Sequence, residues 1–459
     1  VIQYQSLPYP LDAHRIFEIM RDLGEPVLLD SSHPVAHCGR YDIISAAPDL
    51  VVRFGPEGLE INRNDIALDT KEDDPFACLE NLLAEIEIPT TDPDIPFNGG
   101  FIGTFSYDLG RALEQLPSKA QADINFPWLR VGRYLWAVVI DHQLQRSCLM
   151  HHPKVNETSL QQVQQRLAQN LTADSVRQAH PFVLTTAFVS NMDRATYGQA
   201  LNRIDDYIHA GDCYQINFTQ RFSATCSGDP WLAYRALRKT APTPFAAFLE
   251  SNDGTILSLS PERFLEASRE GKVETRPIKG TRPRATNTDE DQYLAQQLLQ
   301  SPKDRAENLM IVDLLRNDLS KSCLPGSVNV PELFSIEHYP NVHHMVSSVC
   351  GILRPSVTAV QLLRDCFPGG SITGAPKIRA MEIIDELEPQ RRSIYCGSIG
   401  YISACGTMDT SITIRTLLVQ KDRIYCWAGG GIVADSDIDD EYQESYNKVN
   451  NLLQTLEQL

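Results

Sequence analysis

What the chain lacks narrows its function before any motif is read. No apolar run in its 459 residues approaches the roughly 20 needed to cross a bilayer as a helix. The opening segment VIQYQSLPYPLDAHR carries no basic region, apolar core or small-residue cleavage pattern of a secretory signal, so a cytoplasmic location is expected. Its 11 cysteines include no CxxC pair and are odd in number, which argues against both a disulfide framework and a thiolate zinc site. Cys213 and Cys405 read as small buried hydrophobes rather than reactive thiols. Positive charge is short as well: 59 acidic residues against 41 Lys and Arg give a formal net charge of -18, so neither nucleic acid nor an anionic membrane is an expected partner. A small anionic substrate stays compatible, because a cluster of cations or a bound metal reverses the field inside a cleft.

What is present is a chain that is 42% hydrophobic, enough for a large core and against disorder. Tyr134 to Ile140 and Ser147 to Met150 read as a hairpin. A polar helix around Leu160 to Leu167 and a loop rich in Thr, Ser and Asp follow. They set a subdomain boundary between about Lys154 and His180, dividing an N-terminal part (1–180) from a C-terminal part (181–459). Asn191 or Asp193 can cap a helix bearing Tyr197, Leu201, Ile204 and Ile208, which Gly211 would end. Phe245 to Leu249, Thr255 to Ser260, Phe264 to Ser268 and Lys272 to Ile278 read as an antiparallel meander. Helices are expected near 289–299, 303–316, 358–366, 375–387 and 439–456, with strands near 399–403 and 411–418. Helices and paired strands alternate without a parallel βαβ cadence, so antiparallel sheets covered by helices are expected.

Two acidic pairs share helical spacing: Glu441 and Glu444, with Lys448 four beyond, and Asp304 and Glu307. Brought together they would form an all-oxygen site suited to magnesium, although such spacing also suits solvated helix faces. His343 and His344 open a strand-like run in which one should point inward. FPGGSITGAPK and AGGGIVADS fit an anion-binding turn and a close backbone approach to a ligand, and equally ordinary turns. Lys279 ends the strand-like VETRPIK and can lie beside Glu262 of SPERF. Burial would lower the lysine pKa and free the amine as a nucleophile, with the glutamate as proton donor; by charge pattern alone, a surface lysine paired with a glutamate fits better.

These motifs occur together, in order, from about Asp193 to the C-terminus: GDCYQIN, SLSPERF, RPIKGTRPR, DRAENLMIVDLLRNDL, HHMVS, FPGGSITGAPKIRAMEIIDELEP, YCGSIGY, DTSITIRT, AGGGIVADS and EYQESYNK. Their combination resembles the chorismate-utilising enzyme family. The resemblance implies an α+β fold like anthranilate synthase component I: two face-packed antiparallel sheets with helices outside, both chain halves contributing to one unit. It implies Mg2+ bound by Glu307 and Glu444, with Asp304 and Glu441 as further ligands. It further implies chorismate bound by Tyr395 and Arg415, with Gly431, Ser371, His344 and Lys448 lining the same cleft. Siblings that add water carry a lysine where this chain has Gln215, and anthranilate-forming members usually have a small residue where it has Lys279. The PIKGT form implies the aminodeoxychorismate branch: a covalent Lys279 intermediate, Glu262 as acid, amination at C4, and a product feeding para-aminobenzoate and folate formation. The chain has no recognisable glutaminase motif, so a glutamine amidotransferase small subunit is the implied partner. PVLLDSS resembles, more weakly, the segment that forms the tryptophan pocket of anthranilate synthases, implying an amino-acid pocket at Leu29, Asp30 and Ser31 with tryptophan as ligand. Anthranilate formation, or a silent binding protein on the same fold, are the other readings.

Overall fold

Every residue of the strand Trp136–Asp141 is buried, and its apolar side chains divide by parity. Ala137 and Val139 join one hydrophobic cluster, while Trp136, Val138 and Ile140 join another. A strand whose two faces both meet apolar neighbours lies in an inner layer. The same division recurs at Ala247 and Leu249 against Ala246 and Phe248, at Ile256 against Leu257, and at Tyr425 and Trp427 against Ile424 and Cys426.

The computed structural model describes all residues except 35–38, 64–65, 69, 87–91, 171–179 and 340–341, and the side chain of 170. In the first sheet, Gln3–Leu7, Arg146–His151, Trp136–Asp141, Tyr41–Ser45 and Val27–Asp30 lie in order. Phe245–Ser251, Gly254–Ser260, Thr416–Gln420, Arg423–Ile432, Gln215–Ser227 and Val183–Leu184 continue it. The second sheet begins with Ile278–Pro283, Val342–Ile352, Lys272–Arg276, Arg263–Ala267 and Met408–Ile412. It continues through Ser398–Ser403, Gly100–Phe105, Leu129–Tyr134 and Leu50–Gly55 to Gly58–Arg63 and Ile66–Leu68. Strand pairs in both sheets are antiparallel. One cluster fills the space between the sheets, where Ile256 and Trp427 meet Val131, Leu265 and Met408. The other lies under helices Ala13–Met20, Pro230–Thr240 and Asn450–Glu457, which supply Phe17, Trp231 and Leu456. Helices Pro75–Ala84, Pro302–Ser320 and Ala359–Cys366 cover the second sheet with Leu79, Ile311 and Leu363. Among the described residues, cysteines are free thiols and no helix is long and apolar enough to cross a membrane.

Several expected strands break where the chain changes sheets. The run 134–140 divides at Leu135, between Leu129–Tyr134 in the second sheet and Trp136–Asp141 in the first. The expected meander divides at Pro261-Glu262, and the run 411–418 divides between Ile412 and Thr416. Hydrophobicity stays high through each crossing because both sheets bury it, so the sequence pattern carries no mark of the change. Lys272 to Ile278 also breaks, at Pro277, which has no N–H for a ladder. The expected final helix is two, Ile438–Asn447 and Asn450–Glu457.

The helix after Asp193 runs Arg194–His209, with the Asp193 carboxylate accepting from the Thr196 N–H and Gly211 beyond its end at φ +83°. Asn191, the other candidate cap, accepts from Arg221 instead. At the expected subdomain boundary, helix Glu157–Asn170 buries Val163 and Leu167 in the outer cluster; the loop at 171–179 lies outside the described residues.

The layer assignment makes a stability prediction. Leu257 is buried beneath the outer helices, so Leu257→Ala should cost about 2–5 kcal/mol in urea unfolding. Leu144→Ala, at an exposed hairpin tip, should stay within about 0.5 kcal/mol of wild type.

Candidate active site

The PIKGT segment is shaped by a bulge. Ile278 pairs with Val346 and Thr281 with His344, so one strand advances three residues while its partner advances two. The extra residue falls at Lys279-Gly280, where Gly280 has φ +88°. The backbone angle favours glycine, and a Cβ on Gly280 would lie 2.8 Å from Leu298 Cδ1 and 2.9 Å from Asp304 Oδ1, displacing both side chains. The bulge directs Lys279 toward helix Pro302–Ser320, with its Nζ 3.1 Å from Glu307 Oε1. Gln215 Nε2 donates to the same oxygen at 2.7 Å.

Lys279 therefore differs from the expectation of a lowered pKa. Burial does depress it, but the carboxylates of Glu307 and Glu262 outweigh that effect and hold the ammonium above its ordinary value. Glu262 behaves in the opposite way to most carboxylates near a lysine. Burial at the sheet crossing raises it to about 7, against the lowering effects of a 2.7 Å hydrogen bond from Ser371 Oγ and the charges of Lys279 and Arg415. Near neutral pH this carboxyl can hold a proton and release it.

Two consecutive glycines collect the remaining carboxylates. A Cβ on Gly430 would lie 3.1 Å from Glu441 Oε2 and 3.5 Å from both Glu444 Oε1 and Lys448 Nζ. On Gly431 it would lie 1.9 Å from Gln215 Nε2 and 2.7 Å from Glu307 Oε1. Lys448 pairs with Glu444 at 2.6 Å and donates to the Gly429 carbonyl at 2.8 Å. Glu441 accepts from Ser436 Oγ at 2.7 Å, and burial together with Glu444 raises its carboxyl. Asp304 is turned away from this group, toward Gly280, and pairs with Arg282 at 3.0 Å. Among the described residues, no three His, Cys, Asp or Glu side chains are arranged to hold a metal ion.

Arg415 lies on the crossing between sheets at φ +49°. Among the described residues its side chain has no hydrogen-bond or ion-pair partner; burial lowers its guanidinium, and Glu262 is the charge that opposes this. His343 and His344 are both buried, on opposite faces: His343 meets Asp291 and His338, while His344 meets Thr281 and the Tyr339 ring. Burial, Arg415 and His343 lower His344 to about 3, so its imidazole is neutral. Tyr395 is buried and stacks on Trp427 with ring centroids 5.9 Å apart and planes 7° from parallel. Trp427, Thr281 and Ser436 are contacts that the motifs alone do not single out, because each depends on strand register or helix docking.

In the N-terminal half, Leu29 and Asp30 line a cavity of about 390 Å³ between the sheets, along with Tyr41, Arg263, Tyr401 and Met408. The Asp30 carboxylate is engaged by His14, Tyr234 and Arg238. Ser31 does not line the cavity; its N–H and hydroxyl both donate to Asp42.

The titration of Glu262 predicts a pH effect. Its folded value of about 7 exceeds the ordinary 4.5, so its contribution to stability is full below about pH 4.5 and is lost as pH rises through 7. Between those limits wild type should lose on the order of 3 kcal/mol relative to Glu262→Gln, read as the difference between their urea-unfolding profiles from pH 4.5 to 8.

A family model described as chorismate binding enzyme matches residues 47–454. Aminodeoxychorismate synthase component 1 of Klebsiella aerogenes is 49% identical over 455 residues, covering 98% of each chain. The protein of the same description from Escherichia coli K12 is 48% identical, over 96% of this chain and 95% of its own. The crystal structure of anthranilate synthase component I from Streptococcus pneumoniae TIGR4 superposes with a TM-score of 0.79 at 31% identity, covering 93% of this chain and 95% of that one. The family that the ordered motifs resemble is thus reached independently, and this chain is a member of the chorismate binding enzymes.

Proposed function

We propose that this enzyme converts chorismate and ammonia to 4-amino-4-deoxychorismate through a covalent intermediate on Lys279, supplying para-aminobenzoate and folate formation. The observation that carries the reading is the convergence of a largely buried Lys279, a Glu262 raised to about 7 and an Arg415 without a partner among the described residues, in a chain about half identical to relatives described as aminodeoxychorismate synthases. Lys279 first gives its proton to solvent. Its amine then bonds to C2 of chorismate as both ring double bonds shift and the C4 hydroxyl departs, taking the proton held by Glu262 and leaving as water. Ammonia next bonds to C4 and the C2–N bond to lysine breaks; the proton lost from the new amine returns to the Glu262 carboxylate. The enolpyruvyl group is retained. Arg415 and Tyr395 hold the enolpyruvyl carboxylate, with Ser371, His344, Gly431 and Lys448 around the ring.

Magnesium is the proposed metal. Glu307, Glu441 and Glu444 supply only oxygen donors around two glycines, which fits a hard divalent cation. Asp304 is left out because it lies against Gly280, not against Gly430 or Gly431 with the other carboxylates. When bound, the ion would neutralise and orient the ring carboxylate. A glutamine amidotransferase small subunit is the proposed source of ammonia, and tryptophan the proposed occupant of the cavity beside Leu29 and Asp30.

Chorismate, magnesium and an ammonium salt should yield 4-amino-4-deoxychorismate, and chelation of the metal should abolish turnover. Lys279→Ala should fold and bind chorismate yet lose at least about 100-fold in C4 amination. Anthranilate as the product would reject the reading, and near wild-type C4 amination by the variant would reject the covalent step alone.

A further inference from the structure

Thr281 stands directly opposite His344 in the antiparallel ladder, so their side chains share a face, and Thr281 Oγ1 lies 2.9 Å from His344 Nδ1. His344 is neutral, so its ring carries a single N–H and presents a lone pair from the other nitrogen. The two tautomers present different groups to the cleft. With the proton on Nδ1, the ring donates to Oγ1, the exposed Thr281 hydroxyl turns its proton to solvent, and Nε2 offers a lone pair. With the proton on Nε2, the hydroxyl donates to Nδ1 and the Nε2–H is left to meet an acceptor on a ligand. Nε2 has no protein partner among the described residues, and Arg415 is near enough to act on the ring's titration.

We propose that Thr281 is a positioning residue that sets the tautomer of His344, so that the imidazole turns an Nε2–H donor toward an oxygen of the bound substrate. The inference rests on the functional reading above for its substrate. The carboxylates of a dianionic ligand only accept, so a ring presenting a lone pair to one of them would repel it where a donor would hold it. The bulge at Lys279-Gly280 explains the coupling within one motif: the same shift of register that aims Lys279 at Glu307 seats Thr281 across from His344.

The test uses the full chain labelled with 15N-histidine, with the His344 signals assigned from a His344→Asn variant. Long-range 15N–1H correlation spectra recorded with chorismate and without ammonium should show Nε2 protonated and Nδ1 accepting in wild type. Thr281→Val should shift the proton toward Nδ1, and Thr281→Ser should keep the wild-type pattern. Thr281 is exposed, so neither change removes core packing. With chorismate and an ammonium salt, Thr281→Val should lower kcat by about tenfold or more with KM changed less than about threefold, and Thr281→Ser should restore kcat to within about threefold. A wild-type proton on Nδ1, an unchanged tautomer in Thr281→Val, or a changed tautomer with unchanged kcat would each overturn the proposal. Absence of 4-amino-4-deoxychorismate from the wild-type reaction would instead strike the functional reading, while the spectra still decided the tautomer.

Discussion

Two chain crossings between the sheets lie side by side and are hydrogen-bonded to each other. The Ile412 N–H donates to the Glu262 carbonyl at 3.0 Å, and the Leu259 N–H donates to the Arg415 carbonyl, also at 3.0 Å. Each crossing takes a residue out of the regular in-and-out alternation of a strand, and those residues are Glu262 and Arg415. Arg415 adopts a left-handed backbone angle that costs a non-glycine residue roughly 1–3 kcal/mol, and the flanking strands of both sheets hold it there. The Glu262 carboxyl and the Arg415 guanidinium act on each other's titration because the sheets are joined at this point.

Around that junction cations and carboxylates are interleaved. The molecule carries a formal -18, yet Lys279, Lys448 and Arg415 converge on the same region as Glu307, Glu441, Glu444 and Glu262. Opposite charges here set each other's titration. Glu307 is lowered by Lys279 in spite of its burial, and Lys279 is raised in return. Glu262 and Glu441 lack so close a cation and move upward. Such divergence among carboxylates gathered in one region is common at functional sites.

Glycine makes these approaches geometrically possible at few positions. Gly280 permits the bulge that directs Lys279, and Gly430 and Gly431 leave room for carboxylates and the Gln215 amide against the strand backbone. Arg392, buried and paired with Glu388, donates to the carbonyls of Ile372 and Asn217 and so braces the turn that carries Ser371. The site is thus built on strands and braced turns, which keep side chains in register more tightly than free loops do.

The sequence by itself determined the family, the two-sheet class and most helices, because ordered motifs and 3.6-residue periodicity are local and survive without knowledge of contacts. The helix after Asp193 and the pairing of Glu444 with Lys448 are legible for the same reason. Only the tertiary structure decided where the chain changes sheets, because an apolar run buried in either sheet looks the same. It also decided that Asp304 pairs with Arg282 and that Ser31 turns to Asp42, contacts that depend on which elements lie alongside. Lys279 marks the division most clearly. Its place in PIKGT is written in the chain, but the sign of its pKa shift came from Glu307 and Glu262, brought to it by a helix and a sheet crossing whose distance in space no local pattern encodes.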